Sequence, residues 1–372
     1  MSLSLEVKKF INSEHSGEFV EISLPGMIPG AKPAATAATA ATAAGGVSAE
    51  ALREEPVKDP ETEPVKDPET EFAGAKPKTK PDRADDEFED DKPLRRLGKK
   101  NVETVMEHET ARIHYFEAGQ GEPLLLIHTV GQSLYTWRGV FQRLSEHYRV
   151  FAVDLPGHGY SDRPETFGYT VEEYSDALRR FMDAVGLESA HMMAFSLGCA
   201  YAMRFALDYP ERLGRLVLLS PGGVTPEMPL AIKLVDSPVF GLAASWLYSM
   251  GTTEKLLNDA VFDLTNITPD VVQEYYRPIS DGAARRAVRK SLQYFDDEPI
   301  VSRLREAMVP ALILTGSEDK WHPAAGGAAE LYHAAMRNAG FAVIRNAGHL
   351  LHEEKPDRII AALLEFIPVV MP

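Results

Sequence analysis

From residue 102 to the C-terminus the apolar positions follow two periods that take turns. Short apolar runs of the buried-strand kind fall at 124–128, 150–154, 191–195, 216–220, 311–315 and 342–345, with two earlier strands expected at 102–106 and 112–116. Between them lie stretches whose apolar residues recur every three or four positions, at 134–147, 171–185, 325–338 and 355–366, and another follows residue 196 until Pro210 stops it near Tyr209. Strand and helix in alternation predict an α/β fold with a mostly parallel sheet covered by helices. The alternation lapses over residues 221–305, which keep helical periodicity, contain no clear strand and carry Phe240, Trp246, Tyr248, Met250, Tyr275 and Tyr276. That stretch is expected to be a helical cap inserted into the core, which divides into 101–220 and 306–372.

Ahead of residue 101 the pattern is absent. Residues 32–46 are almost entirely Ala and Thr, and a tandem eight-residue repeat fills 55–62 and 63–70 with two prolines in each unit. Proline at that density disfavours helix and sheet, and the acidic cluster at 85–91 between basic stretches adds nothing to bury. Residues 31–100 are therefore expected to be a disordered linker. Residues 1–30 contain Phe10, Ile11, Phe19, Val20, Ile22 and Leu24, and read either as a short segment that docks on a protein partner or as a tail with no specific role.

Charge and composition narrow the partners. A formal net charge of −16 disfavours nucleic acid and anionic membrane surfaces. The N-terminus has no uninterrupted apolar stretch of signal-peptide length, and no run is long enough to span a bilayer, so a cytoplasmic location is expected. The single cysteine, Cys199, lies in an apolar helical stretch and reads as a small buried residue. No His, Cys and carboxylate cluster has metal-ligand spacing, and no glycine-rich phosphate loop is present, so neither metal nor cofactor is expected.

The candidate chemistry centres on Ala194-Phe195-Ser196-Leu197-Gly198, where a strand must turn sharply into a helix with serine at the apex. An unactivated serine is a poor nucleophile and needs a base, for which His349 in the loop after a late strand is placed. A carboxylate must orient that imidazole, and Asp319 follows the strand at 311–315 and emerges at the same sheet edge. The neighbouring Glu318 fits the Gly-x-x-Asp spacing less well. Donors for an oxyanion are expected from the N–H of Leu197, at a helix start, and from Val130 in the turn His128-Thr129-Val130-Gly131. Trp137, Trp246 and Trp321 are candidates for lining an acyl pocket, with the core as the alternative for each. His128 and His158 read as structural, and His352 as a residue behind the site.

Together with Asp154-Leu-Pro-Gly-His-Gly-Tyr-Ser161 and the Glu354-Lys-Pro356 that follows Gly348-His349, these motifs resemble the α/β-hydrolase fold proteins of the esterase and haloperoxidase-like type. The resemblance runs from about residue 102 to the end. It implies an eight-stranded, mostly parallel sheet with helices on both faces, a cap at 221–305, no cofactor, and a small-molecule acyl substrate: an ester, thioester or lactone. Carbon–carbon bond hydrolysis and acyl transfer use the same residues, and a binding module that has lost turnover is the non-enzymatic alternative. Ala194 and Thr129 stand where the family usually has glycine. The serine at the elbow separates the chain from the dehalogenase and epoxide-hydrolase branches, which use aspartate.

Overall fold

A computed structural model of the chain describes residues 17–25, 108–223, 249–324 and 327–369. Its strands are β1 Glu18–Pro25, β2 His108–Ala118, β3 Pro123–Ile127, β4 Arg149–Val153, β5 Ala190–Phe195, β6 Leu213–Leu219, β7 Ala311–Gly316 and β8 Ala339–Ile344. They form one eight-stranded sheet in the order β1-β2-β4-β3-β5-β6-β7-β8. β2 pairs antiparallel with β1 and β4, and every other pairing is parallel. The expected α/β-hydrolase architecture is therefore present.

The first strand comes from the segment expected to be a docking peptide or a tail. Glu18–Pro25 pairs residue for residue with β2, from Glu18 opposite Tyr115 to Pro25 opposite His108. The period-two pattern explains it: Ile22 and Leu24 are buried, while Phe19, Glu21 and Ser23 between them face solvent. The hydroxyl of Tyr115 donates to Glu18 at 2.8 Å. The core thus begins near residue 18 rather than at 101. The strand expected at 102–106 lies outside the described residues, as does the proposed linker at 31–100.

Alternation along the central strands divides the core into two faces. Leu125 and Ile127 of β3 point into one apolar cluster, and Leu124 and Leu126 into the other. The first face is covered by α2 Val171–Ala184 and α3 Gly198–Asp208, whose Phe181, Met182, Tyr201 and Phe205 are fully enclosed. α2 starts at a capping box, Thr170 with Glu173, which satisfies two N–H groups at once. The second face holds α1 Phe141–Leu144. The helix expected over 134–147 is in fact a 3-10 turn at Leu134–Gly139 followed by this single α turn. The described part of the insertion is helical, as expected: α4 Met250–Ala260, α5 Pro269–Tyr276, α6 Gly282–Gln293 and α7 Glu298–Val301. The chain closes with α8 Ala328–Ala335, α9 Leu351–Glu354 and α10 Pro356–Phe366. Among the described residues no helix is long and apolar enough to cross a membrane.

Candidate active site

The sharp turn after β5 places Ser196 at φ 54°, in the left-handed region that a residue other than glycine seldom occupies. The strain is held by backbone bonds on both sides: Ser196 N–H donates to Leu219 at 2.9 Å, and its carbonyl accepts from Cys199 N–H at 3.0 Å. Of the two small positions flanking the serine, Gly198 is the strict one. A Cβ there would stand 2.4 Å from the carbonyl oxygen of His128, so no side chain fits between the elbow and the β3 turn. Ala194 is enclosed between Ile127 of β3 and Leu218 of β6, and its methyl is part of the core.

Three side chains from three strand ends meet here. Ser196 Oγ lies 3.0 Å from His349 Nε2, and His349 Nδ1 lies 2.8 Å from Asp319 Oδ2. All three are buried, with Ser196 and Asp319 at 5% exposure and His349 at 1%. The other oxygen of Asp319 accepts the backbone N–H groups of Trp321 at 3.0 Å and His322 at 2.9 Å. Burial alone would raise this carboxyl. The charge and hydrogen bond of His349, with the N–H of His322, outweigh it and hold the group below the usual carboxylate range. Glu318 is exposed, and the hydroxyl of Ser317 donates to it.

The loop bearing His349 is fixed by a residue that sequence reasoning noted only as part of a motif. One oxygen of Glu354 accepts Gly348 N–H at 2.5 Å, and the other accepts the N–H groups of Phe262 and Asp263 at 2.8 and 2.9 Å. The N–H of His349 itself donates to Ala260 at 2.6 Å. Asn346 takes φ 56° at the start of this loop, a conformation asparagine tolerates. The end of α4 and the histidine loop are thus stitched together through one buried carboxylate.

On the other side of Ser196, the Leu197 N–H donates to the hydroxyl of Thr129 at 3.2 Å. Val130 follows in the same turn, half-buried. His128 holds that turn, with Nδ1–H donating to Thr129 O at 2.7 Å and Nε2 accepting Leu155 N–H at 3.0 Å. Burial lowers its pKa, and these bonds fit a neutral ring in a structural role. His158 is likewise buried, its pKa pushed down to about 3 by burial and by His128.

The three tryptophans separate. Trp321 packs its ring 5.0 Å from that of His349, half-buried beside the site. Trp137 is fully enclosed in the core and packs its ring 4.8 Å from that of His352, which is the core alternative read for it rather than a place lining a pocket. Trp246 lies outside the described residues. His352, behind the site as expected, is buried 2.7 Å from the Thr136 hydroxyl and 4.6 Å from the Phe195 ring, with its pKa pushed down to about 3 by burial. His322 was not anticipated. Its buried ring sits 5.0 Å from His349, and burial and that neighbour lower its pKa to about 4. The only sequence hint was its place three residues after Asp319. A cavity of about 570 Å³ lined by Ile344, Arg345, Asn346, Lys355 and Arg358 opens beyond the loop and includes none of Ser196, Asp319 and His349.

Among the described residues no group of three or more His, Cys, Asp or Glu side chains could hold a metal ion. A hydroxyl hydrogen-bonded to an imidazole that is hydrogen-bonded to an ionised carboxylate can lose its proton to that imidazole as it attacks a carbonyl.

The family model for the alpha/beta hydrolase fold matches residues 122–356. A 2-hydroxy-6-oxo-6-phenylhexa-2,4-dienoate hydrolase of Comamonas testosteroni is 30% identical over 270 residues, covering 68% of this chain and 91% of that protein. A 2-hydroxy-6-oxononadienedioate/2-hydroxy-6-oxononatrienedioate hydrolase of Paraburkholderia phymatum is 31% identical over 273 residues, covering 69% and 91%. Among solved structures, a meta-cleavage product hydrolase from Pseudomonas fluorescens shares the fold with a TM-score of 0.60 at 24% identity, over 69% of this chain and 94% of that one. With the sheet order, the elbow and the family match in agreement, the chain belongs to the α/β-hydrolase fold family and is a hydrolase.

Proposed function

We propose that the protein hydrolyses a small or medium apolar ester, thioester or lactone through a covalent acyl-enzyme on Ser196. In this reading His349 takes the Ser196 proton as Oγ attacks the carbonyl, and Asp319 holds the imidazole and balances the positive charge that develops on it. The N–H groups of Leu197 and Val130 stabilise the oxyanion; water activated by His349 then releases the acid. The observation that carries the proposal is the continuous hydrogen-bonded chain from Ser196 Oγ through both nitrogens of His349 to Asp319. Trp321 against His349 supplies an apolar wall for an acyl group. The lone, buried Cys199 needs no oxidising compartment, which fits work in the cytoplasm.

A second reading is favoured by the relatives at 30% and 31% identity, which are hydrolases of 2-hydroxy-6-oxo-dienoates. Such molecules have no bond from an acyl carbon to oxygen, nitrogen or sulfur beside the 6-oxo group. Water can therefore split them only at the carbon–carbon bond next to that carbonyl, leaving a carboxylic acid and a shortened dienoate. The same serine and histidine would serve, with the dienoate accepting the electron pair of the broken bond.

The test compares a p-nitrophenyl ester series of increasing acyl length with a synthetic 2-hydroxy-6-oxo-6-phenylhexa-2,4-dienoate, using wild type and Ser196→Ala. Ester turnover that vanishes in Ser196→Ala supports the first reading, and a dienoate kcat/KM well above that of every ester replaces it with the second. Activity surviving in Ser196→Ala would sink both.

A further inference from the structure

We propose that the side-chain hydroxyl of Thr129 belongs to the oxyanion site and donates a hydrogen bond to the negatively charged oxygen of the tetrahedral intermediate. The proposal rests on the reading of Ser196 as nucleophile. A substrate's carbonyl oxygen must reach the N–H of Leu197, the first donor beyond the serine. In this protein that N–H points at Thr129 Oγ1, 3.2 Å away, and α3 has no side-chain cap of its own to satisfy it. The hydroxyl oxygen therefore occupies the place beside Leu197 N–H that an oxyanion requires.

Thr129 is poorly free to leave. Its carbonyl accepts His128 Nδ1–H at 2.7 Å and Gln132 N–H at 3.3 Å, and the residue is buried. The adjoining carbonyl of His128 lies so close to Gly198 that a Cβ there would stand 2.4 Å from it, so the β3 turn packs directly against the elbow. A threonine hydroxyl carries one proton and two lone pairs, and the bond from Leu197 uses one lone pair. Among the described residues no acceptor takes its proton. An oxygen about 2.8 Å from both Leu197 N and Thr129 Oγ1 closes a near-equilateral triangle on their 3.2 Å separation, within ordinary hydrogen-bond distances. On formation of the intermediate, Leu197 N–H is shared between Oγ1 and the oxyanion, and the Thr129 O–H rotor turns toward that same oxyanion. No bond is made or broken by Thr129, and its proton stays on Oγ1. A glycine at this position would leave the backbone donors alone, whereas Thr129 adds a donor and fills the site between turnovers.

The experiment measures steady-state kinetics on the best ester of the series for wild type, Thr129→Val, Thr129→Ser and Thr129→Gly, with thermal midpoints and the rate of fluorophosphonate labelling. Valine keeps the volume and removes the hydroxyl, so kcat is expected to fall by about 10²-fold with KM changed little, as for loss of one oxyanion donor. Thr129→Ser is expected to restore the rate, and Thr129→Gly to stay as slow as valine. A valine variant as fast as wild type overturns the proposal, as does a glycine variant that is faster, since the hydroxyl would then only block the site. If valine lowers the midpoint by many degrees, the glycine and serine variants decide: equal rates for the two also overturn it. Failure of fluorophosphonate to label Ser196 in wild type would instead reject the nucleophile reading beneath it.

Discussion

At the scale of single residues, the site depends on carboxylates more than on the serine's own surroundings. Asp319 spends one oxygen on two backbone N–H groups and the other on His349, so Asp319→Asn is expected to keep the fold and lower kcat by about 10⁴-fold through the wrong imidazole tautomer. Ester kinetics alongside circular dichroism check it. Glu354 accepts the backbone N–H groups of Gly348, Phe262 and Asp263, and so sets the backbone before His349. Glu354→Ala should cost at least about tenfold in kcat, since displacement by an ångström is enough to lose 10²-fold. A profile of kcat against pH that moves while KM holds would mark Glu354 as positioning His349 rather than holding substrate. That Ser196, His349 and Asp319 would come within hydrogen-bond distance was legible in the sequence, because each follows a local strand-end pattern. The partners of Thr129 and Glu354 were not, because their contacts join segments far apart in the chain.

At the scale of elements, the instructive one is β1. Pro25 and His108 are directly paired, so the chain from 26 to 107 leaves and rejoins the sheet edge at one point of an antiparallel pair. Replacing 26–107 by a two-residue Asn-Gly turn is therefore expected to preserve the fold and the ester activity. Closing a two-residue loop instead of one of about eighty residues should add on the order of 3 kcal/mol of stability. Deleting residues 1–100 should do the reverse. It strips Ile22 and Leu24 from the core, about 1.5–3 kcal/mol each, and leaves β2 as a bare edge. Urea unfolding of the two variants checks the opposite signs, and equal stabilities would contradict the assignment of β1. A second element-scale device joins α5 to the core: Arg138 pairs with buried Glu353 at 2.5 Å, and Tyr275 donates to the same carboxylate. Burial works against the Arg138 charge, but Glu353 outweighs it and keeps the guanidinium protonated. Removing Arg138 alone leaves an unpaired buried charge, so Arg138→Ala is expected to cost about 3–5 kcal/mol.

At the scale of the whole molecule, buried histidines make the fold sensitive to acid. His158 and His352 have pKa values pushed down to about 3 and His322 to about 4, each with burial as the leading cause, whereas in the unfolded chain they titrate near 6.5. The unfolded state then binds protons that the folded state refuses, so stability is full above pH 6.5 and declines as pH falls toward those values. Each ring contributes on the order of 1 kcal/mol per pH unit within that window. The lowered carboxyl of Asp319 acts with the same sign, its contribution being lost as pH drops below the ordinary carboxylate range. Urea midpoints at pH 7 and pH 5 should show the decline, and His158→Asn should make it shallower. What the sequence by itself determined is the α/β class, the positions of β3 to β7, the helical insertion and the Ser196, Asp319 and His349 set. Period and turn chemistry are local properties, written into consecutive residues. Only the tertiary structure decided that Glu18–Pro25 is a strand of the sheet, that Trp137 is core while Trp321 flanks His349, and that Thr129 faces Leu197. Those outcomes depend on contacts between residues distant in the chain, which no local period records.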